Sequence, residues 1–297
     1  PIGGKKKVRK SCIMSGCLNT VFGHWKTGTV LAVLMMYVAL VHSAVDAAPV
    51  AVRFQEGKTH GFLLVRSLAG DIIGQGEMTQ VAKEGDLVES QLVFTFKDGS
   101  LYDEKVAFSQ HGVLTLISYH LVQRGPFFPE QADVFVDRGT GTYKVRSQIG
   151  KDGKEEVRTG TVDLSQDVYN GMVITSLMNL PKGAGETVHI LAFRPEPEVI
   201  KLQLLPRGED TVRIGDWSRR AWEYEFKPDI GIIRKWLGRI TGNLPDDFHY
   251  HCWILADDVP SFVRYEGPLQ LMGPIVRIEL VRPGLLTKPE DRKISSR

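Results

Sequence analysis

The stretch LVESQLVFTFKDGSLYDEKVAF, residues 87–108, decides the fold class of this chain. Apolar and polar side chains alternate through Leu87–Phe96, and the alternation resumes in Leu101–Phe108. Alternation with a period of two, in β-branched and aromatic residues, indicates strands with one buried face. Between them, Asp98 and Gly99 supply the positive φ that tight hairpin turns need. The stretch therefore predicts two antiparallel strands joined by a turn over residues 97–100.

The same alternation recurs along the rest of the chain and is interrupted by turn residues. A second Asp-Gly pair, within Lys151–Lys154, predicts another hairpin turn. The further predicted strands are Val113–Val122, Val134–Asp137, Thr142–Gln148, Glu155–Val162, Glu186–Phe193, Val199–Leu205, Ser218–Phe226, Phe248–Leu255, Phe262–Tyr265 and Ile275–Val281. Short strands at regular spacing predict an antiparallel sheet that curves.

One segment changes to helical spacing. Within Asp167–Leu180, most apolar side chains recur three or four residues apart. Asp163 or Ser165 can cap its start, and Pro181 stops it. Gly171 lowers the helix propensity, so the helix can also begin there. Together these patterns predict an α+β fold rich in β structure: a curved antiparallel sheet, or half-barrel, wrapped around one main helix.

A short basic amphipathic segment occupies Ile230–Ile240. Its apolar side chains share one helical face, and Arg234, Lys235 and Arg239 share the other. The segment can pack on the sheet as an ordinary helix. Alternatively, it can make peripheral contact with a membrane, with Trp236 at the interface and the basic side chains toward anionic head groups.

Residues 1–47 have the three parts of a secretory leader. Lysines and arginines precede the uncharged apolar stretch Gly28–Val41, and small residues follow it. Val45 and Ala47 suit signal peptidase, so we expect cleavage after Ala47, with Met14 as the initiator. The alternative is an uncleaved anchor, but the apolar run is shorter than the roughly 20 residues that span a bilayer.

Removal of the leader changes the net charge. The chain has 37 basic and 35 acidic side chains; the leader holds six of the basic ones and Asp46, which leaves 31 and 34, or a net charge of −3. No basic surplus remains to neutralise phosphates, which argues against a nucleic-acid partner. We expect an exported protein of a bacterial periplasm or cell envelope, with one β-rich domain over residues 48–282 and a flexible polar tail over 283–297.

The stretch WILADDVPSFVRYEGPL, residues 253–269, resembles the closing hairpin of exported bacterial proteins similar to the outer-membrane lipoprotein carriers. The stretches Asp167–Met172, Leu177–Pro181 and Gly273–Leu280 also resemble recurring pieces of uncharacterised exported families of this type. The resemblance covers most of residues 60–282. It implies a strongly curved sheet that encloses an apolar cavity, and it implies binding of an apolar ligand such as a lipid or a lipoprotein acyl chain.

Large apolar side chains on the predicted inward faces are the candidate ligand-binding residues. They are Phe94, Phe96, Phe108, Leu116, Met172, Met178, Trp222 and Tyr224. The same residues would equally form a filled core. A structural or interaction protein with such a core is therefore the alternative to a lipid-binding protein.

The run from His249 to Cys252 is the most chemically suggestive one. In a strand, His249 and His251 point to the same side, where they can bind a metal ion if Asp246, Asp247 or His120 adds a ligand. A metal-dependent enzyme is thus a third hypothesis, and an ordinary strand face with alternating histidines is its alternative. We expect Cys252, which points to the other side, to be a buried structural thiol.

Other chemistries lack support in the sequence. No Gly-x-Ser-x-Gly motif is present, and we predict no cofactor. The glycine pairs Gly74-Gln-Gly76 and Gly139-Thr-Gly141 lack the context of a phosphate-binding loop and are predicted to be turns. The acidic pairs 103–104 and 257–258 are also predicted to lie at turns. The oligomeric state stays open.

Overall fold

Antiparallel strands dominate the computed structural model, which describes residues 48–150, 153–193, 196–229, 250–270 and 273–283. The strands are β1 (Thr59–Arg66), β2 (Ile72–Ala82), β3 (Leu87–Phe96), β4 (Leu101–Ser109), β5 (Thr115–Arg124), β6 (Glu130–Asp137), β7 (Thr142–Ile149), β8 (Glu155–Thr161), β9 (Glu186–Phe193), β10 (Pro197–Ile214), β11 (Trp217–Pro228), β12 (His251–Leu255), β13 (Phe262–Pro268) and β14 (Ile275–Val281). Within the described residues, the single α-helix is α1 (Val173–Asn179), and Glu84–Asp86 forms a 3-10 turn.

All 14 strands belong to one curved sheet in the order β8-β7-β6-β5-β4-β3-β2-β1-β14-β13-β12-β11-β10-β9. Each half is a meander in which consecutive strands pair. The halves join through an antiparallel ladder between β1 and β14, from Phe62 opposite Val281 to Arg66 opposite Arg277. In the described part of the chain the sheet is open, with β8 and β9 at its edges. The predicted β-rich antiparallel sheet is therefore confirmed.

The hairpin that the sequence predicted most directly forms as expected. Strands β3 and β4 pair up to Thr95 opposite Leu101. Gly99 has a φ of +84°, and the Asp98 carboxylate accepts a hydrogen bond of 2.9 Å from the Ser100 amide. Local turn chemistry thus determines this register.

Strand β2 corrects the prediction that Gly74-Gln-Gly76 is a turn. Both glycines lie within the strand, Gly74 opposite Phe96 and Gly76 opposite Phe94. A Cβ at Gly76 would lie 2.5 Å from the Val93 carbonyl oxygen and closer still to the Phe94 ring. Glycine is needed here because the aromatic side chain of the neighbouring strand takes the space. The pair at Gly139 does form a turn.

The first half of the predicted helix Asp167–Leu180 is not helical, and the alternative start near Gly171 is close to the observed one. Gly171 adopts a φ of +66°, which breaks the helical pattern, and α1 begins after it. Upstream, the backbone runs beside β9: the Tyr169 amide donates to the His189 carbonyl, and the His189 amide donates to the Asp167 carbonyl, both at 2.9 Å. The segment is held by this pairing, which competes with helix formation.

Strand β10 is longer than predicted. The sequence suggests an end at Leu205, before Pro206 and Gly208, but the strand continues to Ile214 after a register shift between those two residues. The extended β10–β11 hairpin covers a small apolar cluster. Its buried members are Val212, Ala221, Trp253 and Val263.

Two larger clusters share the inner face of the sheet. We call the first the helix core; it joins α1 and the segment before it to strands from both halves, and its fully buried members include Phe108, Leu114, Leu116, Val168, Tyr169, Met172 and Leu204. We call the second the aromatic core; its members are Leu63, Val65, Phe94, Phe96, Tyr102, Phe128, Val276 and Ile278. Phe262 and Tyr265 pack against both clusters.

Several predictions concern residues outside the described ones. They are the leader, Lys151 and Asp152 of the second turn, the segment Ile230–Ile240, His249 with Asp246 and Asp247, and the tail from residue 284 onward. Across the part of the chain that the structure describes, no helix is both long enough and apolar enough to cross a bilayer.

Candidate functional site

A pocket of about 290 Å³ lies between α1 and strands β11 and β12. We call it the helix pocket. Its apolar walls are Phe54, Leu177, Met178, Trp222, Tyr224 and Ile254. Its charged residues, Arg53, Lys182 and Asp258, are exposed, whereas the apolar walls are buried or half-buried. The pocket therefore has an apolar interior and a charged mouth.

Strand pairing positions the aromatic wall of the helix pocket. Trp222 lies opposite Ile254, and Tyr224 lies opposite Cys252. The loop after α1 closes over them: the Gly183 amide donates a 3.2 Å hydrogen bond to the Tyr224 hydroxyl group. A Cβ at Gly183 would lie 2.8 Å from the Trp222 ring, so the backbone approaches the indole as only glycine allows.

Asn179, near the end of α1, holds the other wall. Its side-chain oxygen accepts hydrogen bonds from the amides of Arg53 and Phe54, at 2.8 and 2.9 Å, and its Nδ2 donates to the Thr175 carbonyl at 3.0 Å. Asn179 is 1% exposed. A buried amide with three hydrogen bonds fixes the segment before β1 against the helix. Nothing in the sequence pattern distinguishes this residue from its neighbours.

Two cations and one acid surround the mouth of the helix pocket. The Lys182 ammonium group donates to the Ala256 carbonyl at 3.1 Å and lies 3.9 Å from the Asp258 carboxylate, which is fully exposed. The Arg53 guanidinium group lies 5.7 Å from the centre of the Phe54 ring. An exposed ion pair at 3.9 Å contributes little, so positive charge predominates at this mouth.

The structure separates the candidate ligand-binding residues into three groups. Met178, Trp222 and Tyr224 line the helix pocket. Phe108, Leu116 and Met172 are buried in the helix core, and each is no more than 1% exposed. Phe94 and Phe96 belong to the aromatic core.

Packing around Phe96 shows how closely the aromatic core is filled. Its ring stacks on Phe127, with centroids 4.2 Å apart, and meets the edge of Phe128 at 5.7 Å. The Phe127 amide donates to the Ser100 hydroxyl group at 2.8 Å, which fixes this loop on the β3–β4 turn. The aromatic core therefore resembles an ordinary protein interior.

A half-buried glutamate, Glu104, lies on the inner face of the sheet. Glu104 was predicted to lie at a turn, but it belongs to β4, where the hydroxyl groups of Tyr102 and Tyr119 both donate to its Oε1 at 3.1 Å. Burial raises the pKa of Glu104, and the two tyrosine hydrogen bonds lower it in part. A Cβ at Gly171 would lie 3.2 Å from the Glu104 carboxyl carbon. The turn before α1 thus closes over this group.

A second buried pair anchors the same segment to β9. The Asp167 carboxylate lies 2.6 Å from His189 Nδ1. Burial acts to raise the pKa of Asp167, but hydrogen bonds from Ser165 and His189 outweigh it, so the pKa is lowered. This pair holds the chain in its extended path before the Gly171 turn.

Where the structure describes the residues of the predicted metal site, their side chains contact other partners. His251 Nδ1 lies 2.7 Å from Glu223 Oε1, and the His251 ring stacks near Trp253. His120 lies on β5, seven places from β12 in the order of the sheet, and its Nε2 lies 3.0 Å from Asp133 Oδ1. Among the described residues, no three His, Cys, Asp or Glu side chains gather as metal ligands would.

Cys252 is a buried free thiol, as expected. Burial raises the pKa of the Cys252 thiol, which disfavours the nucleophilic thiolate.

Neither a protein-family model, nor a curated protein, nor a solved structure matches this chain. The chemistry of the helix pocket is therefore the strongest guide to function: apolar walls bind apolar groups, and the charged mouth can orient a polar end.

Proposed function

We propose that the protein binds a lipid or another apolar ligand in the helix pocket and performs no chemistry on it. In this proposal the sheet is a half-barrel wrapped around α1, and the ligand lies between the helix and the inner face. One observation supports the proposal above the others. The pocket opens beside α1 and is walled by Met178, Trp222 and Tyr224, three of the residues predicted to contact a ligand.

The driving force would be burial of apolar surface, worth about 25 cal/mol per Å² removed from water. The pocket volume, about 290 Å³, is near the lower end of the range of roughly 300–1,000 Å³ typical of small-molecule sites. It therefore suits a single acyl chain or a small ring system better than a whole multi-chain lipid.

The filled parts of the concave face support a second candidate, a structural or interaction protein of the cell envelope. Phe94, Phe108 and Met172 are at most 1% exposed, so they have no surface left to offer a ligand. If the helix pocket is only a packing irregularity of such a core, the purified protein will bind no apolar probe.

A neutral fluorescent probe distinguishes the two candidates. We expect N-phenyl-naphthylamine to gain fluorescence on binding the purified protein, and Met178→Trp to abolish that gain by filling the helix pocket. The matched control is Phe135→Trp, because Phe135 is a large apolar residue, 43% exposed, and does not line the pocket. Equal probe binding by both variants, or no binding by the unchanged protein, would contradict the proposal.

We also propose that the protein acts after export, in a periplasm or cell envelope. The basic and apolar leader in residues 1–47 supports this location. Fractionation of expressing cells, with the mass of the exported form, tests it; a cytoplasmic protein that retains Pro1–Ala47 would contradict it.

Deletion of residues 230–240, around Trp236, tests peripheral membrane contact by vesicle flotation.

A further inference from the structure

Positive charge at the mouth of the helix pocket suggests what kind of ligand enters it. Arg53 and Lys182 both line the pocket, and both are exposed. We propose that the ligand is an anionic amphiphile, whose carboxylate or phosphate head contacts Arg53 and Lys182 while its chain lies against Met178 and Trp222. This inference rests on the proposed function and adds the chemical class of the ligand.

The two cations are positioned by the fold. The Arg53 amide donates a hydrogen bond to the buried Asn179 side chain, which fixes the backbone of Arg53 at the wall of the pocket. Lys182 lies in the loop after α1, where the Ala184 amide donates to the Pro181 carbonyl at 2.9 Å and the Gly183 amide donates to the Tyr224 hydroxyl group. Both side chains therefore start from fixed backbone positions beside the apolar walls.

Both cations retain free hydrogen-bonding capacity. A lysine ammonium group has three donors, and among the described residues Lys182 uses one of them, toward the Ala256 carbonyl. Within the described part of the chain, the side chain of Arg53 contacts the Phe54 ring and forms no ion pair. Its guanidinium group carries five donors in a planar fork that fits carboxylate or phosphate. An anionic head could bind both residues without displacing a strong internal partner.

Arginines elsewhere on the sheet show the contrast. Arg66 and Arg264 both pair with the Glu279 carboxylate, at 3.0 and 3.5 Å, and Arg277 pairs with Glu266 at 2.7 Å. Each of these three arginines therefore has a carboxylate partner, and two of them share Glu279. At the helix pocket the nearest acid is Asp258, which is fully exposed and 3.9 Å from Lys182. The helix pocket thus has two cations at its mouth and one exposed carboxylate, which lies beside Lys182.

Three ligands with the same ten-carbon chain test the inference: decanoate, decyl phosphate and decanol. Each is titrated against the purified protein carrying N-phenyl-naphthylamine, and displacement gives its affinity. We expect one or both anions to bind about tenfold tighter than decanol, a difference that shrinks with added salt. The stronger of the two anions identifies the head group as carboxylate or phosphate.

The variants Lys182→Gln and Arg53→Gln, alone and combined, test the residues. We expect the double variant to bind decanol normally and to lose the preference for the anions. Lys97→Gln and Arg124→Gln are matched controls, because both residues are exposed and neither lines the helix pocket.

The outcomes separate the two proposals. If decanol binds the unchanged protein as tightly as both anions, the inference about charge is wrong and the proposed function stands. If a preference for anions persists in the double variant, the inference is also wrong. If neither the probe nor any of the three ligands binds, the proposed function itself fails.

Discussion

The aromatic core and the helix pocket lie on the same face of one sheet and use the same classes of side chain, yet one is filled and the other is open. In the aromatic core, Phe94 and Phe96 lie opposite glycines, and Phe127 and Phe128 close over them. At the helix pocket, Trp222 faces the end of a short helix and a loop. The difference lies in what faces each aromatic ring.

This comparison shows that a strand with alternating, inward-facing apolar side chains can border either a filled core or an open pocket. Gly74 and Gly76 have no side chains, so the rings of Phe96 and Phe94 on the neighbouring strand occupy the space beside them. Polar contacts, such as the hydrogen bonds of Asn179, determine the position of α1. In that position the helix leaves the pocket open between itself and strands β11 and β12. Substitutions on the two sides should therefore behave differently.

The largest expected effect comes from removing a ring of the aromatic core. Phe94→Ala should lower the free energy of unfolding by about 3–5 kcal/mol, because it leaves a cavity in a closed layer. Trp222→Ala should cost less, about 1–3 kcal/mol, because the indole already borders a pocket. Urea titration of both variants measures this; equal losses would remove the distinction between the two regions.

Adding a single methyl group to β2 should also destabilise the aromatic core. In Gly76→Ala the new Cβ collides with the Val93 carbonyl and the Phe94 ring, so we expect a loss of about 1–3 kcal/mol. Gly57→Ala is the control, because nothing lies within 4 Å of its Cβ position. Thermal unfolding of both variants decides the point, and a harmless Gly76→Ala would show that the layer is loosely packed.

The helix pocket should depend more on hydrogen bonds. Asn179→Ala leaves the amides of Arg53 and Phe54 without their acceptor, and we expect a loss of about 1–3 kcal/mol together with weaker binding of N-phenyl-naphthylamine. Chemical unfolding and probe titration measure the two effects. Unchanged probe binding in a destabilised variant would mean that Asn179 supports the fold and not the wall of the pocket.

The smallest effect concerns the buried carboxyl group of Glu104. Burial raises its pKa, so the unfolded chain ionises first and the stability falls as pH rises from the unfolded value through the folded pKa. Glu104→Gln cannot ionise, so its stability relative to the unchanged protein should increase over that interval. Its hydrogen-bond partners Tyr102 and Tyr119 have raised pKa values and stay neutral there.

Unfolding at a series of pH values, with both proteins measured together, tests this dependence. Glu56 also has a pKa raised by burial, but it is present in both proteins and cancels in the difference. A difference that does not vary with pH would mean that Glu104 has an ordinary pKa.

The predictable parts of the fold are those specified by neighbouring residues. The β3–β4 hairpin is one, because Asp98 and Gly99 favour its turn without help from distant residues. Strand β2 was missed because its glycines are explained by the rings of Phe94 and Phe96 on the neighbouring strand, and the local sequence does not show that pairing. The longer of the two predicted helices, which starts at Asp167, was wrong because Gly171 and the pairing with β9 outweigh an apolar pattern that is compatible with a helix.

The candidate site was predictable only in part. Met178, Trp222 and Tyr224 were named, but nothing in the alternation separates them from Phe94 and Phe96, whose surroundings are filled. Asn179 was missed because its partner Arg53 is 126 positions away in the sequence. Arg53 and Lys182 were missed because an exposed cation can be recognised as a candidate ligand-binding residue only when the pocket beside it is known.

The ladder between β1 and β14 has a consequence for the order of folding. Each meander is built from contacts between consecutive strands, so each half can assemble as soon as its own strands are available. The sheet becomes continuous between the two halves when the first and last described strands meet, across pairs such as Arg66 and Glu279 that are 213 positions apart. Closing so long a loop is slow compared with forming hairpins. Until that ladder forms, both of its strands are exposed edges, and this central seam is where an incompletely folded chain is most open to pairing with another copy of itself.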